Sequence, residues 1–296
     1  MLIPLTKDRP FLAQWLILTS ALLLLGGFVV QNIYSEHARI ETKEREQLSA
    51  QAKVVEQNVV RQLNSINLAL EGLLHDSLGW SKKKRDDEHV ALHLKALTDA
   101  IPGVRTILLT DARGTVTASN REQLIGQNFQ HRDYFQAPLR NPNLDTLYIS
   151  PPFTTSLGVY SMSVSRAIIG ADGRLAGVIS ATLAPAEFEV LMNSVRYAPD
   201  MWASLVHGSG AVFMMVPERQ EVQGKNLAQP GTFFTRHLES GQAANVYTGT
   251  VYTTGENRMI ALRTIQPKNL RTDNLLVVAV TRDLPTVFAA WRNHAY

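Results

Sequence analysis

ILLTDARGTVTASNREQLIGQNFQHRDYFQAPLRNPNLDTLYISPPFTTSLGVYSMSVSRAIIGADGRLAGVISATLAPAEF, residues 107–188, is the stretch whose reading decides the fold of this 296-residue chain. Short apolar runs alternate in it with turn dipeptides, the pattern of a strand-rich unit. Ile107, Leu108 and Leu109 form a buried strand, residues 111–114 a turn, and residues 115–118 the returning strand. Asp172-Gly173 stands between two longer apolar runs, residues 159–169 and 175–183, which is the strongest short-range hairpin signal a sequence offers. Between these pairs lies one polar and aromatic knot, His131-Arg132-Asp133-Tyr134-Phe135, expected in a loop or short helix. A helix starts at Pro185, a good first-turn residue.

A weaker copy of the stretch follows about a hundred residues later, and self-similarity at a steady offset marks a duplicated unit. Residues 202–206 answer 106–110, and His207-Gly208-Ser209-Gly210 answers Asp111-Ala112-Arg113-Gly114. Residues 222–227 echo 124–129, Phe233-Phe234 echoes Tyr134-Phe135, and residues 259–265 match 162–168 with Arg263 where Arg166 falls. Residues 275–281 match 175–181, and Leu284-Pro285 matches Ala184-Pro185. The copy has lost the knot, reading Gly231-Thr232-Phe233-Phe234 in place of Arg132-Asp133-Tyr134-Phe135. A small charged ligand is therefore expected in the first unit.

Towards the N-terminus, residues 11–30 carry no charge and are long enough to cross about 30 Å of hydrocarbon as a helix. Lys7 and Arg9 precede them and acidic residues follow, so the N-terminus is expected in the cytoplasm and the bulk of the chain outside. The run is long for a cleaved signal and lacks a small-residue cleavage site, which favours a retained anchor. From Tyr34 to about Leu78 one helix is predicted, with Leu48, Val55, Val59, Leu63, Ile66, Leu70 and Leu73 forming an apolar stripe. Its lower half, residues 36–52, reads as too polar to be buried. Asp86 or Asp87 caps a second predicted helix that runs to about Ala100 and ends at Pro102-Gly103.

Composition narrows the function. A hydrophobic content of 45% and a charged content of 19% belong to a folded protein, and there are no cysteines for disulfides, thiolates or Cys-ligated zinc. The one dense basic run, residues 82–85, is followed at once by Asp86, Asp87 and Glu88, so it reads as a solvated loop and no nucleic-acid partner is expected. His89 and His93 share a helix face but lack a third ligand, so no metal site is expected. No GxSxG, HExxH, P-loop or paired-carboxylate arrangement is present, and Ser209 between two glycines sits in a hairpin turn.

The anchor, the stalk, the tandem units, the Arg132-Asp133-Tyr134-Phe135 knot, the later Ser161-x-x-x-Ser165-Arg166 and the DGxxxGVIxAxL of residues 172–183 together resemble the double Cache (PAS-like) sensor domain. This is the extracytoplasmic sensing module of bacterial transmembrane signalling proteins. The resemblance covers about residues 34–296 and is to the form found ahead of diguanylate cyclase (GGDEF) domains, with relatives in histidine kinases and chemoreceptors. It implies an α+β fold: an N-terminal transmembrane helix, a long stalk helix, and two tandem PAS-like subdomains, each a five- or six-stranded antiparallel sheet on the stalk. The expected divisions are a cytoplasmic N-terminus (1–10), the transmembrane helix (11–33), the stalk (34–80), a membrane-distal subdomain (81–195) and a membrane-proximal one (196–290). Residues 291–296 fall where the family's second transmembrane helix begins, ahead of a cytoplasmic output domain. The resemblance further implies a homodimer in the inner membrane, a small-molecule ligand (carboxylate, amino acid or amine), no cofactor, and no catalysis by these residues. A histidine kinase or chemoreceptor sensor, and a tethered binding protein without an output domain, are the alternatives.

A pocket for a small anion or zwitterion needs a cation, orienting hydroxyls and an aromatic wall. Arg132, Asp133 and Tyr134 in the knot, Tyr148 and Ser150 on one predicted strand, and Tyr160, Ser163 and Arg166 on the next are the candidates. Alternation places Tyr160, Met162, Val164 and Arg166 on one face and the serines on the other, so Ser163 and Arg166 share a pocket only through a bulge. Arg132 and Asp133 can equally form a local ion pair. The recurrence of Arg166 as Arg263 in the copy without the knot gives it a competing scaffold role. In relatives that bind amino acids the loop carries Arg followed by Trp-Tyr, with an acidic residue later; here the Trp is missing and no later Asp is clearly placed.

Overall fold

The structure, a computed structural model, describes residues 9–80, 87–219, 222 and 225–295. The basic run at 82–85 and the capping candidate Asp86 lie outside these, as does part of the stretch matched to 124–129. The anchor and stalk are one unbroken helix, α1 (Arg9–Trp80), 72 residues and about 110 Å long. Its first part contains an 18-residue window of mean hydropathy 2.0 in which nothing is buried by protein. That part of the helix is long and apolar enough to cross a membrane. Further along, Leu48, Ala52, Val55, Val59, Leu63, Ile66, Leu70 and Leu73 form the stripe that packs on the rest of the molecule. Burial thus begins at Leu48, earlier than the polar composition of 36–52 suggests, because Glu44 and Arg45 are satisfied by partners on the globular body.

A second helix, α2 (Asp87–Ala100), leads into β1 (Val104–Asp111) and β2 (Val116–Ser119). The knot opens α3 (Asp133–Arg140), which is followed by β3 (Thr146–Ile149), β4 (Phe153–Thr154), β5 (Tyr160–Ser161), β6 (Ser163–Ile169), β7 (Leu175–Leu183) and α4 (Pro185–Ser194). The second half supplies β8 (Trp202–His207), β9 (Val212–Val216), α5 (Phe233–Glu239), β10 (Ala244–Thr250), β11 (Asn257–Ile265), β12 (Arg271–Thr272) and β13 (Leu276–Asp283). Two short helices, α6 (Leu284–Val287) and α7 (Ala289–Ala295), close the chain.

Strand order repeats. The first sheet runs β12-β3-β6-β7-β1-β2 and the second β10-β11-β13-β8-β9, so the two share one antiparallel order of five strands. The sixth strand of the first sheet is the exception: β12 comes from the second half and pairs parallel with β3, Arg271 opposite Thr146. The inner faces of both sheets, with Ile107, Leu109, Val164 and Ile179 in one and Ala203, Leu205, Val278 and Val280 in the other, join the α1 stripe in a single apolar core. Each fully buried Leu, Ile or Val there contributes about 1.5–3 kcal/mol. The outer faces carry separate clusters, Leu108, Phe135 and Val178 beneath α3 and Val206, Phe234 and Ile260 beneath α5.

Contacts along α1 set the vertical order. Trp291 donates to Ile33 O at 3.1 Å, Arg282 pairs with Glu44 at 3.0 Å, Arg263 with Glu56, and Arg166 with Glu71 at 2.9 Å. The first sheet therefore sits farthest from the apolar end of the helix, about 55 Å beyond Val30 at Asn67.

Candidate functional site

The Pro-containing helix α3 begins directly after Arg132, whose backbone is extended, and lays Tyr134 and Phe135 onto the outer face of the first sheet. Ser165 of β6 donates to Tyr134 O at 2.7 Å and pins this first turn. Asp133 lies in that turn, where a carboxylate favours the positive end of the helix. Between the sheet, α3 and the hairpin of β4 and β5 lies a cavity of about 410 Å³ including its mouth. Its apolar wall includes Leu108, Phe129, Tyr134 and Phe153; Arg105 and Arg132 bring two guanidinium groups, and Thr106, Thr155, Ser156 and Thr182 bring hydroxyls. No carboxylate is among the described lining residues.

Arg132 is held half-fixed: Nη1 donates to Thr154 O at 3.2 Å and the guanidinium lies 4.9 Å from the centre of the Phe153 ring. Its remaining N–H groups are free for a ligand, as is the side chain of Arg105, which makes no ion pair among the described residues. Tyr134 is almost fully buried, and burial pushes its phenol well above the ordinary tyrosine range against the opposing pull of Arg132. Its hydroxyl has no hydrogen-bond partner among the described residues, so it is a neutral donor facing the cavity.

Of the eight sequence candidates, the structure brings Arg132 and Tyr134 to the cavity wall. Ser163 stands directly behind it, its hydroxyl 2.9 Å from that of the lining Thr182. Asp133 is exposed and outside the lining. Tyr148 is buried with its hydroxyl on Asn141 O, and Ser150 accepts from Ser163 N at 3.0 Å, so both serve the framework. Tyr160 reaches the other half of the molecule, donating to Val212 O at 3.1 Å. The strand expected over 159–169 breaks at Met162 into β5 and β6, yet Ser163 and Arg166 still lie on opposite faces. Arg166 points inward, to Asn67, Glu71 and Leu144 O.

Sequence reasoning missed Arg105, Thr106, Thr155, Ser156 and Thr182. Simple alternation separates Arg105 from Thr106; the pairing of β1 with β7 shifts register between Val104 and Thr106, and both residues line the cavity. Thr155 and Ser156 lie in a turn whose sequence says only that the chain reverses. Among the described residues no group of three His, Asp or Glu is placed to hold a metal ion.

The fold is shared with solved extracellular and periplasmic sensor domains. Among solved structures, the chain is similar to the extracellular domain described as that of a histidine kinase, rpHK1S-Z16, with TM-score 0.72 and 21% identity over 84% of this chain and 98% of that one. It is likewise similar to the periplasmic sensory domain of the Campylobacter jejuni chemoreceptor Tlp1, with TM-score 0.66 and 16% identity over 84% and 98%. The ligand-binding domain of the Pseudomonas fluorescens chemoreceptor CtaA, in complex with L-isoleucine, has TM-score 0.61 and 16% identity over 87% and 99%. No family model and no curated protein matches the sequence.

Proposed function

We propose that the chain is the sensing part of a membrane-anchored signalling receptor and that its ligand, a small carboxylate, sits in the cavity under α3. One observation carries this: two guanidinium groups, each with N–H groups to spare, line a cavity with no carboxylate among its described lining residues. Arg132 meets the carboxylate, Tyr134 and the threonine hydroxyls orient it, and Phe129 and Phe153 exclude water, which strengthens the charge-assisted hydrogen bonds. An amine lacks a counter-ion in this lining. An amino acid, the class bound in the CtaA structure, fits through its carboxylate and leaves its ammonium to the mouth or to Asp133.

The α1 helix carries the response. Closure of the cavity moves the first sheet against α1 through Arg166 and the apolar stripe. At the other end α7 lies beside α1: Trp291 donates to Ile33 O at 3.1 Å, and Phe288, just before α7, stacks on His37 at 4.2 Å. The chain is anchored by residues 11–33 with its globular part outside, and it works as a homodimer in which two α1 helices shift against each other. Its solved neighbours favour a histidine kinase or chemoreceptor output, while the sequence resemblance favours a diguanylate cyclase.

A thermal-shift screen of the full chain in nanodiscs against mono- and dicarboxylates, amino acids and amines tests the site. Carboxylates are expected to raise the midpoint, amines to leave it unchanged, and Arg132→Ala and Arg105→Ala each to weaken the best ligand by at least about tenfold, or about 1.4 kcal/mol. A carboxylate that stabilises Arg132→Ala as well as the parent chain refutes the assignment.

A further inference from the structure

The outer face of the second sheet has a cavity of its own, of about 650 Å³ including its mouth, in the place topologically equivalent to the first. Its chemistry is different. Trp202, Phe233, Phe234, Ile260 and Leu262 dominate the wall, and no charged side chain is among the described lining residues. Two cations do approach Trp202: the guanidinium groups of Arg219 and Arg258 lie 3.9 and 3.8 Å from the ring centre. Both are answered by one carboxylate, with Glu256 at 2.8 Å from Arg219 and 2.7 Å from Arg258, so neither is left for a ligand. Arg258 also donates to Thr281 Oγ1 at 2.8 Å. An ion entering this cavity loses its water and meets no free opposite charge among the described residues.

Two hydroxyls are left over. Ser204 on β8 and Thr253 line the cavity, are 9% and 8% exposed, and neither hydroxyl makes a hydrogen bond among the described residues. Tyr252, 59% exposed, stands at the mouth. Aromatic walls favour an aromatic guest by offset stacking and edge contacts, and a buried hydroxyl without a partner, such as that of Ser204, favours a hydrogen-bonding group on it. We propose that this cavity is a second binding site, for an uncharged single-ring aromatic compound bearing one hydroxyl or N–H group that bonds Ser204. The site is independent of the carboxylate site under α3.

The experiment uses the full chain in lipid nanodiscs and 4-fluorophenol, observed by fluorine NMR. Saturable line broadening beyond that of empty nanodiscs is expected, and it persists in Arg132→Ala. Ala279→Leu fills the cavity and is expected to weaken binding at least about tenfold; Tyr252→Ala, at the exposed mouth, and Ser204→Ala each weaken it about threefold. Should Ala279→Leu fail to fold by circular dichroism, the other two variants decide. The proposal is overturned if broadening never exceeds that of empty nanodiscs, if the folded variants bind as tightly as the parent, or if Arg132→Ala abolishes binding, which would put the phenol under α3.

Discussion

Arg166 is buried on the inner face of β6 and holds Asn67, Leu144 O and Glu71, while Arg132 lies half-exposed at the start of α3 with N–H groups unused. The pleat of the strand makes the difference: Ser163 and Ser165 turn outward, so Arg166 must turn to α1. Arg263 repeats the arrangement on β11 with Glu56. Replacing Arg166 by Met leaves the buried Asn67 and a carbonyl without their donor. Stability is expected to fall by about 3 kcal/mol in denaturant unfolding, with the carboxylate affinity of the surviving folded chain unchanged. A large loss of affinity without a loss of stability would instead put Arg166 at the site.

At the scale of elements, α1 is stabilised from end to end by what it touches. Leu63 is 2% exposed in the stripe, and Leu63→Ala is expected to cost about 3 kcal/mol by calorimetry, through lost burial and the cavity left behind. Nearer the apolar end of the helix the contact is ionic: Arg282 on β13 joins Glu44 at 3.0 Å and Asp200 at 2.7 Å, with Tyr197 also bonded to Glu44. Burial pulls the Arg282 guanidinium downward, but Asp200 and Glu44 outweigh it and hold it above its ordinary value. Arg282→Met strands two partly buried carboxylates and is expected to cost about 2 kcal/mol, less than for a fully buried pair. Because this cluster couples β13 to the helix, the same variant tests whether movement of the second sheet reaches α1. The helix and its stripe were legible as periodicity, and so was the hairpin at Asp172-Gly173. The burial of Leu48 and Ala52 was not, because Arg282, which pairs with Glu44, and Val246 O, which accepts from Arg45, come from strands two hundred residues away.

At the scale of the whole molecule, the two sheets are laced together at Ile149. Asp273, just after β12, accepts from Ile149 N at 2.7 Å, and His207 at the end of β8 bonds Ile149 O at 3.2 Å. With its Nε2 donating there, the His207 Nδ1 accepts from Ser209 N at 3.1 Å, so the imidazole is neutral. Burial depresses the affinity of His207 for a proton, as it does for His237, which lies between Asn245 and Thr264. Both histidines bind protons more readily unfolded than folded. Their contribution to stability is therefore complete above the unfolded value of about 6.5 and is lost as pH falls below it towards the folded value. The thermal midpoint is expected to drop between about pH 7.5 and about pH 5.5, a range above that of ordinary carboxylates, and His237→Gln is expected to flatten the slope. A midpoint that is flat over this range refutes the assignment of neutral, depressed histidines.

The sequence by itself determined the order of strands and turns, the apolar anchor, the stripe of α1, the internal duplication, and the place of the knot that carries Arg132 and Tyr134. These are set by local chemistry: alternation along a strand, the 3.6-residue turn of a helix, and residues that favour reversal. Tertiary structure alone decided which outward-facing residues meet around a cavity, bringing Arg105 through a register shift and Thr155 from a hairpin to face Arg132. It also decided that β12 crosses to the first sheet and that Arg166 serves the helix. Periodicity assigns a side chain to a face, but what covers that face is fixed by contacts between segments far apart in the chain, and no local pattern records them.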